Sequence, residues 1–136
     1  EEKVFEEQAK EQPIYIFLAD LSEFIKTLYG KHENMGSMAG FAENIFEKGS
    51  LHNIYFFGCL NTEECTGLAG YRAYTLFTGY KKGVHLGGNL SAQRNFSFQN
   101  IPYGELGKVL KKGIGYVPDE EDNTLAKKIV IPLAGR

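Results

Sequence analysis

The stretch Ile14-Tyr15-Ile16-Phe17-Leu18-Ala19 constrains this chain most: six apolar residues in succession, running straight into Asp20. A half-exposed strand alternates apolar and polar residues, so a run apolar on both faces suits a central parallel strand covered on each side. Leu21, Phe24, Ile25, Leu28 and Tyr29 then recur at i, i+3, i+4, i+7 and i+8, an amphipathic stripe closed by Gly30. Asp20 therefore stands at a strand-to-helix junction. A carboxylate there either caps the helix that follows or reaches a magnesium ion beyond the strand's tip.

The pattern then repeats. Met35, Met38, Phe41, Ala42, Ile45 and Phe46 predict a second helix ended by Gly49, and Asn53 to Leu60 a second buried strand. Strand, helix, strand implies right-handed crossovers, with the strands from Ile14 and Asn53 adjacent and parallel. Residues 65–82 read as helix by the spacing of Leu68, Tyr71, Leu76 and Tyr80, or as strand by their aromatic and β-branched content. Residues 83–88 predict a short strand whose closing glycines, Gly87 and Gly88, fit a tight strand-to-helix turn. Gly104 to Lys112 reads as a short helix through Leu106, Val109 and Leu110. Two strands, 113–118 and 127–134, follow around the acidic loop Asp119 to Asn123, which is too short for a crossover and so makes an antiparallel pair. Before all of these, residues 1–13 read as an exposed helix end stopped by Pro13. The fold expected from these patterns is a three-layer α/β sheet in a single domain, 1–136, with strand-bearing parts at 14–62 and 63–136.

A chain of 136 residues can bury one real core, and 43% apolar with 24% charged residues is an ordinary globular composition. A net charge of −2 argues against a free-standing nucleic-acid binder. No signal peptide or run of ~18–20 apolar residues is present. Cys59 and Cys65 lie six apart, which is not a zinc spacing, and read as idle thiols of a reduced cytosol. His32, His52 and His85 fall in separate segments, with neither a zinc helix nor a triad in view. The sequence holds no G-x-x-x-x-G-K-[ST], and the serine of Gly36 to Gly40 is misplaced for a nucleophile elbow. The loop Asp119 to Asp122 lacks calcium-ligand spacing and reads as a solvated turn. A self-contained enzyme is not expected.

The order of segments is nevertheless specific. The hydrophobic strand ending in ADLSEF, residues 19–24, resembles the Walker-B strand of the FtsK/SpoIIIE family of ring-forming ATPases. LHNIYFFGCLN resembles that family's sensor strand, with Asn61 near its polar residue. GGNLSAQRNF, YGELGKVLKKGIGYVP and KKIVIPLA resemble its closing sequence, with Arg94 matching an arginine of a short helix. The flavour is that of the last, often degenerate, ATPase-type module of the type VII secretion motor of Gram-positive bacteria (the EssC/EccC type). The resemblance spans Ile14 to Ala134 and implies a partial P-loop-NTPase-like fold in the C-terminal half of such a module. It implies ATP and magnesium as cofactors of a longer parent, none being bound by this fragment, and a cytosolic place in a membrane-anchored protein without direct membrane contact. The chain starts at Glu1 rather than methionine, as a processed or excised piece of a larger multidomain protein would.

The departures carry as much as the match. The family's general base, a glutamate after the Walker-B aspartate, is Leu21 here, and leucine can neither take a proton nor align a water. Glu23 matches the family's second acid; in a helix it turns about 200° from Leu21. Asp20 is left as a vestigial Walker-B acid, a possible magnesium and cofactor contact together with Asn61, and Arg94 as an interface residue toward a neighbouring subunit or a carboxylate of its own domain. Three readings follow. One is a degenerate module that docks sister modules, subunits or a secreted substrate's signal peptide. Another is the C-terminal half of an active DNA or protein translocase whose Walker A lies upstream. The third is an unrelated small α/β ligand-binding or signalling domain that shares only layer order, a reading favoured if the first two strands are not adjacent and parallel.

Overall fold

A computed structural model describes residues 12–30 and 36–132. The expected helix end before Gln12, His32, Met35 and the last residues of the final strand lie outside that range. The chain divides into two compact units, residues 1–79 and 80–136.

In the first unit β1 (Ile14–Leu18) leads through α1 (Leu21–Leu28) and α2 (Gly36–Lys48) to β2 (Ile54–Gly58). The two strands pair in parallel, in register from Ile14 with Ile54 to Leu18 with Gly58. This adjacency is what the strand-helix-strand pattern predicts, and the separation of strands that would have favoured an unrelated domain is not observed. The ambiguous segment 65–82 resolves into α3 (Cys65–Leu68) and α4 (Arg72–Gly79). Leu21, Ile25, Leu68, Cys65 and Tyr74 form one buried cluster, and Leu28, Phe46 and Ala73 another. Leu18, Phe56 and Phe77 pack against them from the sheet and α4. Gly58 is where a side chain has no room: a Cβ there would sit 2.8 Å from the Phe77 ring and 3.3 Å from Leu21.

Burial of β1 departs from expectation. Its residues alternate, and only the face of Ile16 and Leu18 turns toward the helices, while Tyr15 and Phe17 stay exposed. Among the described residues this unit therefore has two layers, strand pair and helices, in place of three.

The second unit is an antiparallel sheet of order β3-β4-β5: β3 (His85–Asn89), β4 (Val109–Pro118) and β5 (Ala126–Val130). The β4–β5 pair is the antiparallel pair expected around the acidic loop. The helix expected over Gly104 to Lys112 is corrected to the single turn α5 (Tyr103–Leu106), after which β4 begins at Val109. Val109 and Leu110 pair with Asn89 and Gly88, so ladder formation overrides a helical spacing that rested on three apolar residues. Gly87 and Gly88 lie within β3 rather than in a turn after it. Both take the left-handed conformation, φ +62° and +61°, where the register between β3 and β4 shifts.

Candidate functional site

Parallel pairing sets two of the singled-out polar residues at one end of the strand pair. Cys59 N–H donates to the Leu18 carbonyl and Leu21 N–H to the Cys59 carbonyl, both at 3.0 Å, extending the ladder past both strands. Asp20 and Asn61 thus follow the carboxyl ends of adjacent parallel strands, the place where open α/β sheets bind ligands.

Both side chains serve their own backbone there. Asp20 is extended, φ −131° and ψ 93°, and its Oδ1 accepts from Glu23 N–H at 2.8 Å, capping α1. Asn61 Oδ1 accepts from Glu63 N–H at 3.2 Å, capping the 3-10 turn Thr62–Glu64. Asp20 is exposed, so its second oxygen remains open to solvent. A nucleotide-borne magnesium ion needs as little as one such carboxylate from the protein. The residue beside it supplies no chemistry: Leu21 is 1% exposed, inserted between Ile25, Leu68 and Tyr74. Glu23 lies exposed on the other side of α1. Among the described residues no group of three or more His, Cys, Asp or Glu is placed to hold a metal.

Two polar braces of this unit escaped the sequence reading. Ser22, buried in the otherwise apolar face of α1, donates to Glu64 Oε1 at 3.0 Å, and Lys26 Nζ reaches the same oxygen at 3.3 Å. The pairing joins residues 42 apart; its one local signal was a serine inside a buried stripe. Tyr29 Oη donates to Glu43 and accepts from Ala73 N–H at 2.9 Å, while Arg72 lies 3.7 Å from Glu43 and 3.8 Å from Glu47. Burial, with Glu43 beside it, pushes the Tyr29 phenol up from its ordinary range. These contacts fasten α1, α2 and α4 rather than forming a catalytic set.

Arg94 belongs to the second unit. It is exposed and follows the 3-10 turn Leu90–Ala92, in irregular backbone rather than on a helix. The loop around it is clamped by Gln93, whose amide donates to the Phe96 carbonyl at 2.8 Å and accepts from Phe96 N–H at 2.7 Å. His85, 5% exposed on β3, is held below the ordinary histidine range by desolvation, against a backbone hydrogen bond to Gly87 that acts the other way. Its Nε2 has no hydrogen-bond partner among the described residues. Cys59 is exposed and Cys65 buried, and they form no disulfide. No described helix is long and apolar enough to cross a membrane.

Comparison with known proteins gives one strong structural likeness. A solved structure titled "The cytoplasmic domain of EssC" superposes with a TM-score of 0.64 at 17% identity, over 88% of this chain. The aligned part is 21% of that structure's chain, so this sequence corresponds to about a fifth of it. The likeness establishes a related fold. No protein-family model matches the sequence. No curated protein matches it either.

Proposed function

We propose that this chain is a catalytically degenerate ATPase-like module of a secretion motor, working by docking rather than by nucleotide hydrolysis. One observation carries the reading: at the position where an FtsK/SpoIIIE-type ATPase has its general base, Leu21 is sealed in the core of α1. The fold it shares with part of the EssC cytoplasmic domain supports the motor assignment. The parallel β1–β2 pair, with Asp20 and Asn61 beyond its tip, is compatible with a P-loop-type sheet that further strands would complete. This stretch by itself is proposed to bind no nucleotide, its Asp20 serving as the cap of α1; contact of Asp20 with nucleotide-borne magnesium is reserved for the longer parent, where preceding segments would supply the phosphate loop. Sister modules, sister subunits and a secreted substrate's signal segment are its proposed partners, in the cytosolic part of a membrane-anchored parent.

The second reading is an active DNA or protein translocase whose phosphate loop lies in a preceding segment. The open Asp20 oxygen at the end of a parallel pair favours it. The two readings separate in one assay, ATP hydrolysis by the longer parent polypeptide with Asp20 intact and with Asp20→Asn. Turnover that is absent, or present and unaltered by the substitution, supports the docking module. Turnover lost on substitution overturns it in favour of the translocase.

A further inference from the structure

The sheet of the second unit ends at β5, whose outer edge has no strand beside it among the described residues. Its backbone groups alternate in direction. Ile131 N–H donates to the Gly113 carbonyl at 2.7 Å and Asp119 N–H to the Leu125 carbonyl at 2.8 Å, so the odd-numbered residues along this strand bond inward to β4. Ala126, Lys128 and Val130 therefore turn their N–H and C=O groups outward. At Ala126 a side chain stands where a neighbouring strand would. Asn100 Oδ1 accepts from the Ala126 N–H at 2.8 Å, and Asn100 Nδ2 donates to the Ala126 carbonyl at 2.9 Å. The next two rungs, at Lys128 and Val130, have no such partner among the described residues, and both residues are exposed.

Charge decides the occupant. Strands β4 and β5 carry Lys111, Lys112, Lys127 and Lys128 and no acid. Of these only Lys127 has an ion-pair partner among the described residues, Asp119 at 2.6 Å. Glu105 is close enough to feel the charge of Lys128 but is bonded to Lys108. Like charges along an edge strand repel a second copy of the same edge. Outward amide and carbonyl groups together suit a peptide backbone, whereas a phosphodiester backbone offers the carbonyls no donor. We propose that the free edge of β5 takes up an extended acidic peptide segment as an added strand, paired with Lys128 and Val130 and carrying a carboxylate opposite Lys128. A strand added there lies ~5 Å away, within reach of the lysine, and opposite charges facing each other across a strand pair attract. Asn100 limits the added strand at one end, because the Ala126 rung is already filled. Past Val130 the register leads toward Lys112 on β4, a second cation for a second acid. The inference depends neither on nucleotide binding nor on the motor assignment.

The test uses the full 136-residue chain and a short end-blocked peptide of alternating glutamate and valine, with a lysine-and-valine peptide as its counterpart. Amide hydrogen exchange followed by nuclear magnetic resonance reads the edge residue by residue. With the glutamate peptide, exchange at Lys128 and Val130 should slow several-fold, while Ala126, already held by Asn100, should change little. The lysine peptide should protect neither amide. Lys128→Glu, which changes an exposed side chain and leaves the backbone groups in place, should weaken binding of the glutamate peptide several-fold. Lys128 and Val130 amides left unprotected at millimolar glutamate peptide would overturn the proposal, as would equal protection by the two peptides. Protection that arises without peptide and grows with protein concentration would also overturn it, by giving the edge to a second copy.

Discussion

Replacing Leu21 tests whether the position after Asp20 is core or site. Leu21 is 1% exposed and belongs to the cluster of Ile25, Cys65, Leu68 and Tyr74, a setting in which helices and sheet leave little room to collapse into a void. Leu21→Ala is expected to cost about 3 kcal/mol, transfer and cavity terms together. Leu21→Glu, which puts an acid at this position, should cost more, about 4 kcal/mol or above at neutral pH, because the carboxylate loses its water and gains no cation in the cluster. Its pH dependence carries a sign. Burial raises the folded-state pKa above the unfolded value of about 4.3, so the variant should be least impaired below that pH and lose stability as pH rises through the folded pKa. Urea unfolding followed by circular dichroism and tyrosine fluorescence suits a chain with no tryptophan. With a slope of about 1.5 kcal/mol per molar, Leu21→Ala should lower the midpoint by about 2 M. A Leu21→Glu protein within about 1 kcal/mol of wild type at pH 8 would refute the core assignment, and with it the reason for calling the module catalytically silent.

Three further outcomes follow from particular contacts. Asp20→Ala should cost about 1 kcal/mol in urea unfolding through loss of the Glu23 N–H cap, whereas Asp20→Asn, a comparable cap, should stay within a few tenths. Gly115→Ala should destabilise the second unit by about 2 kcal/mol by chemical denaturation, because the added Cβ would lie 2.6 Å from the His85 carbonyl oxygen, backbone that cannot swing aside. His85 has its folded pKa depressed, so its contribution is complete above the unfolded value of about 6.5 and is lost as pH falls through the folded pKa. Denaturation midpoints between pH 7.5 and 5 should therefore decline, and His85→Leu should flatten that decline whatever its own overall stability.

Local periodicity reveals the first unit well, because its elements follow one another along the chain. The run Ile14 to Ala19, the stripe from Leu21 and the second apolar run at Asn53 are enough to place β1, α1 and β2 and to make the strands parallel neighbours. What periodicity could not reveal is coverage. An all-apolar strand reads as covered on both sides, yet Tyr15 and Phe17 stay exposed. The β4 strand was obscured for another reason: Val109 and Leu110 owe their conformation to Asn89 and Gly88, some twenty residues away, and local spacing cannot register a ladder. At the candidate site the residues were legible but their employment was not. Asp20 and Asn61 each follow the end of one of the two paired strands, yet each engages a backbone N–H two or three residues on, a use that a short polar side chain fills as readily as a ligand contact. The Ser22–Glu64 and Tyr29–Glu43 links depend on tertiary placement and had no motif to announce them.

The most direct test of the central claim is a titration of this chain with magnesium and ATP, read at the backbone amides of Leu21 and Glu23 by nuclear magnetic resonance. If Asp20 is a helix cap in a module that does no nucleotide chemistry of its own, the Glu23 amide keeps its acceptor and both resonances stay in place to millimolar nucleotide. A saturable shift of both, abolished by Asp20→Asn, would show the carboxylate leaving its cap for the metal and would contradict the account.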